Sequence, residues 1–192
     1  MDEWTQVSNQ DDSARFELHD GSSNPLIFIG YNPSTATPEK LDKTLEKLRG
    51  LASRFQSEGT ANGFGVIGGL RMFNVYPERS PKPDKLSDPV ISELHTENMA
   101  HIAKSVDGKE LKVVAAWGAL IEKYRKPSLI PQLIEILDLA ELSNCSWWSL
   151  GPLTKNGHPW HPRFRDENAE LTPFDLGAYK LVLRRILKER AK

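Results

Sequence analysis

The sequence predicts a three-layer α/β/α sandwich around a mainly parallel sheet, and two observations carry the prediction. Short, continuous apolar runs alternate along the chain with stretches of helical periodicity. The turn formers fall between these pieces rather than inside them. Strands buried on both faces and joined by helices are how a parallel sheet is built.

Residues 15–19 alternate weakly, and Asp20-Gly21-Ser22-Ser23-Asn24-Pro25 then turns the chain into Leu26-Ile27-Phe28-Ile29. That run reads as a buried strand, with the first piece as its hairpin partner. Gly30-Tyr31-Asn32-Pro33 ends it. Thr37, Pro38 and Glu39 supply a cap, a proline for the first helical position and an acid for the positive end of the dipole. Leu41, Leu45, Leu48, Ala52 and Phe55 follow on one helical face, and Gly59 and Gly63 end that helix.

Residues 66–76, from Val66 to Tyr76, give a second buried strand that Gly68 and Gly69 loosen at its start. Pro77, Pro81 and Pro83 force an extended loop. Asp88-Pro89 repeats the cap-plus-proline signal and opens a helix with Ile91, Leu94 and Ile102 inward. Residues 111–117 form a third strand, ended by Gly118, and residues 119–142 a helix pair broken near Pro127 and Pro131. Residues 145–150 form a fourth strand. A terminal helix opens at Pro173, with Phe174, Tyr179, Val182, Ile186 and Leu187 on its buried side. The expectation is one domain over residues 1–192, with about four strands in its sheet.

Composition narrows the function classes. Charged residues at 27% and apolar residues at 39% exclude a disordered chain and a membrane protein. A net charge of −1 from 25 basic and 26 acidic residues argues against a protein living by sequence-independent grip on phosphate backbones. Cys145 is the single cysteine, which excludes an intramolecular disulfide. The start, Met1-Asp2-Glu3-Trp4, is acidic and unlike a secretory signal, so the expected location is the cytoplasm.

Ligands of open α/β sheets sit outside the carboxyl ends of the strands. Two loops there are rich in chemistry. In the first, Gly30 permits close backbone approach, and Tyr31, Asn32 and Ser34 exceed what a turn and a cap require. In the second, Thr154-Lys155-Asn156-Gly157-His158-Pro159-Trp160-His161-Pro162, two prolines stiffen the backbone around two imidazoles suited to hydrogen bonding or acid–base work. Lys155 adds a cation. Asn74, ending the second strand, could read an amide or a base edge. Two histidines three apart can ligate zinc, but no acidic or cysteine partner accompanies them, so no metal and no cofactor are expected.

These segments resemble an uncharacterised, mostly bacterial family catalogued as domain of unknown function 1643. The resemblance rests on Asn32-Pro33-Ser34-Thr35-Ala36, on Asn74, on Ala115-Ala116-Trp117-Gly118, and on the Thr-Lys-x-Gly-His-Pro-x-His-Pro box from Thr154 to Pro162. Trp160 stands where that family pattern has a basic residue. More distantly, Gly30–Pro33, the segment from Asn74 to Pro83 and His161-Pro162 are similar to boxes of the uracil-DNA glycosylase superfamily, although Arg163 stands where a serine follows the His-Pro there. That resemblance implies a glycosylase-like pocket that takes a nucleobase-containing small molecule or nucleic acid. It implies Asn32 orienting water, His161 stabilising the departing base, and Asn74 or the Tyr31 ring holding the base; Gly30, Ser34, Lys155 and His158 are the further ligand contacts expected from the two loops. The alternatives are a non-catalytic nucleotide or nucleic-acid-binding module, and an interaction domain with a vestigial pocket.

Overall fold

The computed structural model describes residues 4–58, 67–123, 126, 128–166 and 168–192. The expected helix end at Gly59 and Gly63, the strand start at Val66 and the break at Pro127 lie outside those residues. Within them the first half holds β1 (Thr5–Ser8), β2 (Arg15–His19), β3 (Pro25–Gly30), α1 (Lys43–Glu58), β4 (Gly69–Asn74) and α2 (Ser92–Val106). The second half holds β5 (Lys112–Ala115), α3 (Leu120–Lys123), α4 (Leu129–Leu137), β6 (Ser146–Leu150), β7 (Leu171–Pro173) and α5 (Leu176–Arg190).

The strands form one mostly parallel sheet in the order β1-β2-β4-β3-β5-β6-β7. Its centre, β4-β3-β5-β6, is parallel throughout. β1 pairs antiparallel with β2, β2 with β4, and β7 with β6. The sheet therefore has seven described strands rather than about four: β1 and β7 are edge pieces too short and polar to stand out, and β2 is the piece read as a hairpin partner. β2 is not the hairpin partner of β3. All six β3 residues are buried, and both its edges are taken by β4 and β5, so the half-polar β2 is displaced outward to β4 and makes its hairpin with β1.

The pleat of β3 sorts the core into two layers of side chains. Leu26 and Phe28 pack with Leu45, Leu48 and Phe55 of α1 on one face. Ile27 and Ile29 pack on the other with Ile102 of α2, Leu133 and Ile136 of α4, and Leu183 and Ile186 of α5. Helices thus cover both faces of the sheet. No helix among the described residues is long and apolar enough to cross a membrane.

Three helix starts differ from the sequence reading, and at α1 and α5 a better-placed aspartate takes the first amides. Thr37 closes a turn with Lys40 instead of capping, and α1 begins six residues later, where Asp42 Oδ1 accepts the N–H groups of Thr44 and Leu45 at 3.0 Å each. α2 begins at Ser92, which leaves Ile91 outside it and 44% exposed rather than inward. α5 begins at Leu176 with Asp175 as its cap, because Pro173 belongs to β7. Pro131 sits inside the first turn of α4 and does not break it.

Candidate functional site

The chain passes from β3 to β4 through α1 on one face, then crosses to the far side of β3 through α2 on the other. The strand order reverses between β3 and β5, and beyond the carboxyl ends of strands at such a reversal is where open α/β sheets form their ligand crevice. The loop after β3 and the turn Trp117-Gly118 follow those two strand ends.

Gly118 carries φ +70, and a Cβ built on it would lie 2.7 Å from His161 Cβ. Glycine is required there twice, for its backbone angle and for the close approach of the histidine. His161 caps the short turn Pro162–Phe164: its Nδ1 accepts the Arg163 backbone N–H at 3.1 Å. Burial, with the charge of Arg163, pushes the His161 imidazole down to about 4, while Asp42 pulls the other way. The ring is therefore neutral near pH 7. With Nδ1 accepting, its proton resides on Nε2, which becomes a fixed donor.

His158 is placed differently. It is 0% exposed, with Nε2 at 2.8 Å from Glu122 and Nδ1 at 3.1 Å from the Tyr179 hydroxyl. Trp117 Nε1 donates to that same hydroxyl at 2.8 Å. The Tyr179 proton is thereby directed to His158 Nδ1, and the His158 Nε2–H to the Glu122 carboxylate. Burial raises Tyr179 far above the usual phenol range, so it stays a donor. This chain of bonds joins α3, the 154–161 segment, α5 and the end of β5. A ligand contact at His158 has no surface to work from. Its imidazole fixes the segment that carries His161 at its other end.

The remaining expected residues divide. Ser34 lines a cavity of about 680 Å³ together with Thr35, Asp42, Lys43, Lys47 and Arg163, between the β3–α1 loop and the Pro162–Phe164 turn. Asn32 is half-buried, and its Nδ2 donates to Pro33 O at 2.7 Å and Ser80 O at 2.9 Å, stitching the loops after β3 and β4 together. Among the described residues no donor reaches its Oδ1. Asn74, 1% exposed, pairs in register with Gly30, and its Oδ1 has no partner among the described residues. A Cβ on Gly30 would meet that oxygen at 2.8 Å, so the glycine opens the space into which the carboxamide points. Tyr31 is 2% exposed and packs in the α2-side core, so its ring has no free face to hold a base. Lys155 is exposed in a turn away from the residues that line the cavity.

Two cavity residues, Asp42 and Lys47, carry no motif signal and have no place in the sequence reading, where Arg163 appears only as standing where a serine follows the His-Pro pair. Asp42 competed with the stronger-looking Thr37-Pro38 cap. Lys47 donates to Arg165 O at 2.6 Å and so ties α1 to the turn after His161.

The family described as "Protein of unknown function (DUF1643)" matches residues 15–163. The chain belongs to that family. The DUF1643 match spans β2 to β6, the loop after β3, both His-Pro pairs and Arg163. It leaves out β1, β7 and α5, so Tyr179, which holds His158 from α5, lies beyond it. No curated protein and no solved structure matches the chain. Among the described residues no group of three or more His, Cys, Asp or Glu stands close enough to hold a metal ion.

Proposed function

We propose that this DUF1643 protein binds a nucleobase-containing ligand in the crevice between β3 and β5 and hydrolyses its N-glycosidic bond. The observation that carries the reading is the Arg163 N–H held on His161 Nδ1 at 3.1 Å, which leaves Nε2 as the ring's donor, with burial keeping the ring neutral. Cleaving the bond from sugar carbon to base nitrogen leaves the electron pair on the base, and negative charge gathers on the base oxygens. A pre-aimed neutral donor stabilises that charge without having to be reoriented. Water supplies the hydroxyl that bonds to the sugar carbon, and its proton ends on the released base. In this reading Asn32 Oδ1 accepts from that water, and its Nδ2 bonds to Pro33 O and Ser80 O support the role by leaving the oxygen as the carboxamide's remaining group. The unpartnered, buried Asn74 Oδ1 supports a polar ligand at the same strand ends, because such an atom costs about 1–3 kcal/mol when nothing bonds it. The resemblance to the uracil-DNA glycosylase superfamily stated above agrees with these roles.

One observation favours a second reading, in which the pocket binds such a ligand without cleaving it. Asn32 is as much a structural tie as a water ligand. Incubation with modified-base DNA and with free nucleosides, followed by mass analysis for released base, separates the two. Release that His161→Ala abolishes supports hydrolysis. Binding without release selects the second reading, and release unaffected by His161→Ala removes the histidine from the chemistry.

A further inference from the structure

The cavity beside the crevice holds chemistry that glycosidic cleavage does not use. Its walls carry the hydroxyls of Ser34 and Thr35 and the cations Lys43, Lys47 and Arg163, against the acids Asp42 and Glu46. Lys43 and Arg163 are exposed, and Lys47 is held across the cavity by its bond to Arg165 O. The first amides of α1 are occupied: Asp42 Oδ1 takes two of them and Asp42 O takes the Glu46 N–H at 2.9 Å. Whatever the cavity binds, side chains bind it.

A second observation comes from behind the wall. Arg15, 3% exposed, donates to Ala36 O at 2.6 Å, and Arg79 donates to the same carbonyl at 3.1 Å. Two guanidiniums thus converge on one carbonyl, one residue after the Ser34-Thr35 wall. Arg79 has Asp12 at 3.1 Å, whereas Arg15 has no carboxylate in ion-pair contact among the described residues. Burial and the charge of Arg79 hold the Arg15 guanidinium down to about 10, and Asp42 is first among the acids that oppose them. A buried cation without a paired anion is costly, and an anion entering from the cavity side reduces that cost. The cavity lining itself carries three cations, Lys43, Lys47 and Arg163, against two acids, Asp42 and Glu46, in a chain whose net charge is −1, and Arg15 and Arg79 lie behind it at Ala36 O.

We infer that this cavity is a phosphate subsite, and that the ligand is a small nucleotide whose phosphate lies among Arg163, Lys43, Lys47 and the Ser34 and Thr35 hydroxyls while its base reaches the crevice beside His161. The inference rests on the nucleobase reading above and adds the phosphate to it. A volume of about 680 Å³ falls in the range of small-molecule sites, on the order of 300–1,000 Å³. A net charge of −1 gives a long nucleic acid little of the overall positive field on which backbone binding draws, which favours a small ligand. Arg163 is the specific element, because its planar fork can take two phosphate oxygens while its backbone N–H holds His161.

Calorimetric titration at physiological ionic strength tests this with uridine, adenosine, their 5′-monophosphates, inorganic phosphate and a single-stranded oligonucleotide. At least one monophosphate is expected to bind about tenfold or more tightly than its nucleoside. Arg163→Gln and Lys43→Gln should each remove most of that difference and leave nucleoside affinity unchanged. Both side chains are exposed, so both variants should fold, and their melting temperatures check it. Binding of inorganic phosphate that weakens in Arg163→Gln, without any preference for nucleotides, would keep the phosphate subsite and overturn the nucleobase reading. Equal affinity for nucleoside and monophosphate, no binding by any probe, or tight binding of the oligonucleotide alone would overturn the inference.

Discussion

His158→Ala and His161→Ala should part on stability before they part on function. Truncating His158 removes a fully buried imidazole and both its hydrogen bonds, to Glu122 and to Tyr179. Two such bonds contribute about 1 kcal/mol each, and the void left by the ring adds roughly 1–2 kcal/mol. Tyr179 keeps its bond from Trp117, which limits the damage. The sum is about 3 kcal/mol, or roughly 6–12 °C in melting temperature for a chain of this size. His161 is half-buried and forms a single local bond, to Arg163 N, so its truncation should cost about 1 kcal/mol or less. Base release should behave inversely: His161→Ala loses on the order of 100-fold in rate at a nearly unchanged melting temperature. His158→Ala, measured well below its melting point, should retain more activity than His161→Ala. Thermal unfolding by circular dichroism, with base release or ligand binding measured alongside, decides this. Melting temperatures of the two variants within about 2 °C of each other would refute the structural role given to His158.

The depressed His161 also makes stability depend on pH. The unfolded imidazole, near 6.5, takes a proton before the folded one, near 4, so stability should fall as pH drops from about 6.5 towards 4, with a slope of at most about 1.4 kcal/mol per pH unit. Urea titrations at pH 7 and 5 should show a larger loss for the wild type than for His161→Ala, and an equal loss would contradict a neutral, buried ring. Gly118→Ala places a Cβ 2.7 Å from His161 Cβ at a φ of +70, so it should cost roughly 1–3 kcal/mol and impair function beyond that loss of stability. Asp42→Ala should cost about 1 kcal/mol through the α1 cap, while Asp42→Asn, an equally good cap, should leave the melting temperature within a degree or so.

The layers of the fold were legible because burial on both faces leaves mostly apolar runs, continuous in β3 and β5 and interrupted only by Arg71 in β4 and Ser149 in β6. β1 and β7 carry none: Thr-Gln-Val-Ser and Leu-Thr-Pro gain strand geometry only from the partner each finds at the sheet edge. The α1 start shows the same limit in helical form. Thr37-Pro38-Glu39 has every local mark of a start, yet the loop after β3 must first run outward to receive Ser80 N on Pro33 O and the two arginines on Ala36 O. A tertiary tie outranks a cap worth about 1 kcal/mol.

The two histidines of the Thr-Lys-x-Gly-His-Pro-x-His-Pro box show why the site was legible only in part. Sequence placed both imidazoles in one stiff loop and offered both to a ligand. His161 lies three residues after His158, yet one packs against α5 and α3 and the other against the Gly118 turn, so the pair ends in two different environments. His158 meets Tyr179 and Glu122, partners that come from α5 and α3 and leave no trace near the box. His161 meets Gly118, whose positive φ also has no local sequence mark beyond the glycine itself. The buried histidine sets the loop and the half-buried one sits against the Gly118 turn, and their chemistry separates for the same reason. Bonds at both nitrogens commit His158 to the fold, whereas the bond at Nδ1 alone leaves the His161 Nε2–H for a ligand.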